Sequence, residues 1–241
     1  MGSYKYFRKD ILKSHIFIKG ADIMITRTMN IQEVMNELKE DIHNIQAFAE
    51  QKRIKANKII KRSVIFPVFL HAETISKMKN HWLIIFTAFS KVNIDYLIGR
   101  VFVCILETNQ GKFVANLVNI NGKIEFEFYT SHFFQRYAER CNIDLSGIEL
   151  IKYYFCQNLA TTYTYETENC SDGIINHVYG TSKEGISLGY QLKDINNSTF
   201  FKTFISNEMC KKDQMKKFAF DEFKDFVEII NNIKFFSGIE E

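Results

Sequence analysis

His132, Arg136 and Arg140 stand at i, i+4 and i+8 in the run Thr130-Ser-His-Phe-Phe-Gln-Arg-Tyr-Ala-Glu-Arg140. On an α-helix each step of four residues turns the position by only about 40°, so the three share one stripe roughly 12 Å long. Phe133, Phe134, Tyr137 and Cys141 fall on the other side, where they can face a core. A histidine beside two arginines is disfavoured by like-charge repulsion unless an anion is present. The residue types fit phosphate: the guanidinium is a planar fork for its oxygens, and imidazole moves a proton near neutral pH. Thr130 or Ser131 can cap the helix, which places His132 near an end that itself favours anions. The same pattern also fits a salt-bridged surface, with Glu139 and other carboxylates pairing the arginines.

The elements around this stripe follow from periodicity. Asn30 and Glu33 have capping-box spacing. Ile31, Val34, Met35, Leu38, Ile42, Ile45, Phe48 and Ala49 then recur at helical spacing, predicting a helix to about Ile60. Its tail holds Lys52, Arg53, Lys55, Lys58, Lys61 and Arg62. That tail reads either as a solvated face or as a phosphate-facing stripe. Strand-length β-branched and aromatic runs follow at Ser63–His71, His81–Phe89, Tyr96–Glu107, Lys112–Ile120 and Lys123–Tyr129. Asn121-Gly122 between the last two is a hairpin signal. Helices are predicted over Ser131–Cys141 and Ser146–Leu159, the second with Ser146 and Glu149 as a capping box. Strands return at Ile174–Gly180, Ile186–Leu192 and Thr199–Ser206, and helices at Asn207–Lys216 and Phe220–Phe236. Ile16–Lys19 and Asp22–Thr26 are short strands or irregular. The expected class is α+β: a mainly antiparallel central sheet with packed helices. Residues 1–62 form an N-terminal helical extension, and 63–241 a core domain with added C-terminal helices.

Composition narrows the class. The chain is 46% hydrophobic and 24% charged, enough for a core and unlike a disordered chain. No run reaches membrane-span length, so no membrane partner is expected. Lys5, Arg8, Lys9, Asp10, Lys13 and Lys19 interrupt any leader-like apolar stretch, which predicts a cytoplasmic protein. Five cysteines without CxxC spacing fit neither a disulfide framework nor a structural zinc site. A net charge of +3 permits a polyanionic partner without requiring one. His71, Glu73 and His81 suggest a metal only weakly, and the Gly-containing segments lack the strand–loop–helix context of a nucleotide site, so no metal or cofactor is expected. No GxSxG is present for a serine hydrolase. Tyr153, Tyr154, Tyr163 and Tyr165 read as core, or as a stacking surface for bases.

The segment from His132 to Arg140 resembles the signature helix of small ribonuclease toxins in the barnase–EndoU–colicin–RelE-like group. There a helix opens with His-x-x-x-Arg-x-x-x-Arg, and a following sheet carries a Thr or Ser on a late strand. The match covers about residues 96–206 in outline, with Phe201–Ser206 as the late strand. The resemblance implies metal-independent RNA cleavage by 2′-hydroxyl attack. His132 would transfer a proton, Arg136 and Arg140 would stabilise the charged phosphorane, and Thr203 would hydrogen-bond the scissile phosphate. Tyr137, Lys202 and Ser206 are further substrate-binding candidates. RNA is the implied partner, with an inhibitory antitoxin or immunity protein if the chain is a toxin or defence effector. The competing readings are a non-catalytic nucleic-acid-binding protein and a regulatory protein-interaction module. Oligomeric state is not legible.

Overall fold

A computed structural model describes residues 29–89, 99–108, 111–120, 123–158, 161–170, 173–191 and 198–210. The early strands expected at residues 16–26 and the helix expected at 220–236 lie outside these residues. The 207–216 helix is described only as a 3₁₀ turn, Asn207–Met209.

Helix α1 (Ile31–Arg62) begins with the expected capping box. The Asn30 side chain accepts from the Glu33 amide at 3.0 Å, and the Asn30 amide donates to the Glu33 carboxylate at 2.7 Å. Strands β1 (Val68–Ile75), β2 (His81–Ala88), β3 (Gly99–Thr108), β4 (Gly111–Ile120) and β5 (Lys123–Thr130) follow as an antiparallel meander. The β4–β5 ladder closes at Ile120↔Lys123, the two-residue connection that Asn-Gly favours. Then come α2 (Ser131–Arg140) and α3 (Gly147–Gln157). Strands β6 (Thr161–Cys170), β7 (Gly173–Ser182), β8 (Gly185–Gln191) and β9 (Thr199–Ser206) form a second antiparallel run.

The two runs join edge to edge through a parallel β5–β9 pairing, giving the order β1-β2-β3-β4-β5-β9-β8-β7-β6. The class is therefore α+β, and the nine-stranded sheet is mixed, with that one parallel pair among antiparallel ones. Three differences from the sequence reading stand out. Strand β1 starts five residues later than Ser63. Strand β6 was not anticipated, although Thr161–Thr167 is rich in Thr and Tyr. Ser146 makes no side-chain cap, and Glu149 turns to Lys152 instead.

The sheet is covered on both faces. On one, the apolar stripe of α1 packs on Trp82, Ile84, Phe86, Cys104, Phe126 and Phe128. The helix thus shares a core with the sheet. Its buried Asp41 accepts from the Trp82 indole at 2.8 Å and from Asn80 at 2.9 Å, which fixes α1 to β2. Burial of an unpaired charge would be costly without such donors. On the other face, α2 and α3 cover Leu83, Val103, Val114, Tyr129, Phe201 and Phe204. The Tyr129 ring is at the centre, 5.0–5.6 Å from the rings of Phe133, Tyr154, Phe155 and Phe201. Each fully buried side chain of this size contributes about 1.5–3 kcal/mol, so α2 is a firmly mounted platform.

Candidate functional site

Helix α2 starts where β5 ends. Thr130 Oγ1 caps it by accepting from the Phe133 amide at 3.1 Å. Phe133, Phe134 and Tyr137 are buried beneath it, so the stripe of His132, Arg136 and Glu139 faces outward. Arg136 stands at the middle of that stripe. Its Nε donates to His132 Nε2 at 3.4 Å, a long contact that requires an unprotonated Nε2. Its Nη1 donates to Glu139 Oε2 at 2.8 Å. The Arg136 and Glu139 side chains are 42% and 45% exposed. An ion pair that open contributes only about 0.2–1 kcal/mol, so a phosphate can displace the carboxylate cheaply.

The other expected residues are placed differently. Arg140 donates from Nη1 to the Phe204 carbonyl of β9 and so ties α2 to the sheet. Tyr137 is fully buried, and its hydroxyl donates to Glu184. Burial first, and the Glu184 charge second, push that phenol far above its ordinary range. Neither feature suits it to meet a substrate.

Thr203 is turned away from His132. Phe204 packs on Phe133 and Tyr137 and pairs with Ser187, whose hydroxyl meets Tyr154 of α3 at 3.0 Å. Phe204 therefore faces α2 and α3. Thr203, its neighbour, pairs with Leu188 and faces the opposite side, because adjacent strand residues alternate. A register shift at Leu188/Gly189 lets Phe201 and Phe204 share the α2 face although they are three apart. Lys202 also leaves the site: its Nζ lies 4.5 Å over the ring of Tyr190, which packs against the α1 core. Ser206 returns to the α2 side two residues after Phe204. Its Oγ is buried without a hydrogen-bond partner among the described residues. The structure thus brings His132 and Arg136 together, uses Arg140 and Tyr137 as anchors, and separates Thr203 and Lys202 from them.

Glu139, read from the sequence only as a partner for the arginines, lies at i+7 from His132, a spacing that returns to the same stripe. Other polar groups escaped the sequence reading. Glu184 accepts from Tyr137 and from Asn158 Nδ2 at 3.1 Å, while Asn158 Oδ1 accepts from Ser182 at 2.7 Å. This network locks α2, the end of α3 and the β7–β8 turn together. Glu127 is buried on the α3 side, accepting from Asn116 and Tyr129 at 2.8 Å each and from Tyr163. Burial raises its carboxyl above the ordinary range, against the lowering by those three donors.

Glu73, weighed in the sequence with His71 and His81, is engaged by His81 and by a lysine. It bridges His81 at 3.4 Å and the buried Lys152 at 2.7 Å. The His81 hydrogen bond is the chief influence holding Glu73 down at about 2, with burial opposing and Lys152 assisting. Nor do the four tyrosines form a stacking surface. Tyr154 is buried, Tyr163 is engaged with Glu127, Tyr153 is half-buried, and Tyr165 is exposed. Among the described residues, no helix is long and apolar enough to cross a membrane.

Comparison with models of known families, with curated proteins and with solved structures returned no match.

Proposed function

We propose that this protein is a metal-independent endoribonuclease whose reacting groups are His132, Arg136 and Glu139. The observation that carries the reading is Arg136, which touches His132 on one side and Glu139 on the other. RNA brings its own nucleophile. A base must take the 2′-hydroxyl proton, an acid must protonate the departing 5′-oxygen, and a cation must hold the phosphorane. Glu139 is the base, Arg136 is the bidentate phosphate ligand once phosphate draws its guanidinium from His132 and Glu139, and His132, its Nε2 then free to carry a proton, is the acid. The 2′-oxygen–phosphorus bond forms as the phosphorus–5′-oxygen bond breaks, leaving a 2′,3′-cyclic phosphate. Thr203 has no part in this mechanism, and Arg140 acts by positioning α2. RNA in the cytoplasm is the proposed substrate, and an inhibitory antitoxin or immunity protein is the proposed regulator.

A second reading, an RNA-binding protein without catalysis, is favoured by one observation: Arg140 is committed to the Phe204 carbonyl, which leaves one arginine for the transition state. Digestion of total RNA by wild type, His132→Ala and Glu139→Gln, with and without EDTA, separates them. Cleavage by wild type alone, insensitive to EDTA, is expected. Equal activity of His132→Ala, or activity that EDTA abolishes, removes the mechanism. Binding with no cleavage selects the second reading.

A further inference from the structure

The C-terminal half of α1 carries a cationic face that the site on α2 does not use. Residues 51–62 contain six Lys and Arg and no Asp or Glu, whereas residues 31–50 hold five acids and one Lys. Acids at a helix start and bases at its end complement the macrodipole, but that effect is confined to the last turn. Only Lys61 and Arg62 lie there. Lys52, Lys55 and Lys58 lie further back and need another reason.

At about 100° per residue, Lys55, Lys58 and Arg62 fall within about 60° of one another, and Lys61 within about 60° of Lys58. Lys58 is about 160° around the axis from Ala56 and from Ile60, both fully buried. The four cations thus point away from the sheet, and all are exposed. Arg53 is paired with Glu50, and none of the four has a carboxylate partner among the described residues. Lys52 borders this face: burial chiefly, and the charge of Lys55 secondarily, hold its ammonium below its ordinary value.

We infer that this face of α1, built from Lys55, Lys58, Lys61 and Arg62, is a docking stripe for the sugar-phosphate backbone of RNA. The inference rests on the proposed RNA substrate and adds how a long substrate is held. Phosphates fit better than a lipid surface. An interfacial helix buries its apolar face in the bilayer, but the apolar face of α1 is already against the sheet. Ile54 is the one large apolar residue left exposed on this half of the helix. The stripe has no aromatic side chain, so it stacks no bases and reads no sequence. It also lies on the opposite face of the sheet from α2, so it holds RNA that extends beyond the cleavage site.

The test uses the full chain carrying His132→Ala, which removes cleavage from the measurement. Binding to a labelled single-stranded RNA of about 20 nucleotides is followed by anisotropy from about 50 to about 200 mM salt. The fourfold variant Lys55→Gln, Lys58→Gln, Lys61→Gln, Arg62→Gln is compared, its fold checked by circular dichroism. Each phosphate contact adds about 0.7 to the log–log salt slope. Losing four should flatten the slope by about 3, so the parent loses about 50-fold more affinity over that range than the variant. Cleavage of a dinucleotide by the same fourfold change in the His132-intact chain should be unaltered. Unchanged affinity and slope would overturn the stripe while leaving the α2 mechanism standing. So would loss of binding only to phosphatidylserine vesicles, which would mark a lipid surface. RNA binding through the stripe, with no dinucleotide cleavage by wild type, would remove the α2 mechanism and retain the stripe.

Discussion

Tyr163 on β6 donates a hydrogen bond to Glu127 on β5, although β6 is four places from β5 in the sheet. In a flat sheet four strand spacings are about 19 Å, well beyond the reach of a tyrosine. The β5-β9-β8-β7-β6 half must therefore curl over its α3 side. Gly180 opens the path: a Cβ there would sit 3.1 Å from Thr161, 3.4 Å from Tyr163 and 3.5 Å from Phe201. The curl adds Tyr163 to Asn116 of β4 and Tyr129 of β5 as the third donor on one buried carboxylate.

That arrangement predicts a pH dependence. The ordinary carboxyl value is 4.5, and burial raises it in the folded chain. A raised acid stabilises the fold fully below 4.5 and loses that contribution as pH climbs through the raised value. Wild type should lose stability between pH 4.5 and 8 by more than Glu127→Gln does. Urea denaturation at the two pH values measures this. An identical loss in both proteins would show that Glu127 does not titrate in that window. Tyr163→Phe should cost about 1–2 kcal/mol at either pH, as one buried hydrogen bond to a carboxyl is removed.

The register shift at Gly189 makes a second prediction. A Cβ on Gly189 would lie 2.3 Å from the Phe200 carbonyl oxygen and 2.9 Å from the Phe201 ring. Backbone cannot yield as a flexible side chain can. Gly189→Ala should destabilise by about 2 kcal/mol or more, the range of overpacked sites. Retention of the wild-type melting temperature would mean that the β8–β9 bulge relaxes freely.

The limits of the sequence are visible at this same bulge. Strand β9 was legible from Thr199 to Ser206, and α2 from its 3.6-residue period. Local pattern sets both. The facing of Thr203 was not legible, because one irregularity in β8 against β9 reverses the side on which later residues lie. The Asn30–Glu33 cap was readable since both partners are three residues apart. The Asp41–Trp82 and Glu127–Tyr163 contacts were not, since 41 and 36 residues separate the partners. Strand β6 had the right residue types, but its tyrosines read equally well as a surface until the curl put Tyr163 against Glu127.

Acid unfolding should run through Glu73. Its folded value of about 2 against an ordinary 4.5 means that it stabilises the fold above 4.5 and loses this as pH falls toward 2. Glu73→Gln should flatten that acid limb. The His81 hydrogen bond and the Lys152 pair both hold Glu73 down, so His81→Ala and Lys152→Met should each flatten the limb. At pH 7, Lys152→Met should cost about 1–2 kcal/mol. That is below the usual loss for a broken buried pair, because Glu73 remains partly solvated. An acid limb unchanged in both variants would show that these partners do not hold Glu73 down.

Arg136 and Arg140 are one turn apart on α2 and should fail in different ways. Arg136 is half-exposed and, among the described residues, hydrogen-bonds only to side chains of its own helix, His132 and Glu139. Its loss leaves no buried group unpaired, so Arg136→Lys should keep the wild-type melting temperature within measurement. Ammonium cannot reproduce the guanidinium fork on phosphate, so cleavage should fall about 10-fold or more. Arg140 bonds the Phe204 carbonyl across the α2–β9 contact. Arg140→Gln should therefore cost about 1–2 kcal/mol of stability, with a smaller loss of cleavage that follows the loosening of α2. His132→Ala should match Arg136→Lys in stability and lose about 10²–10⁴-fold in rate, as for a missing proton-transfer group. Melting temperature and cleavage rate measured together on the three variants decide the matter. If Arg140→Gln leaves stability intact but abolishes cleavage, Arg140 meets the substrate and its bond to Phe204 opens when RNA arrives.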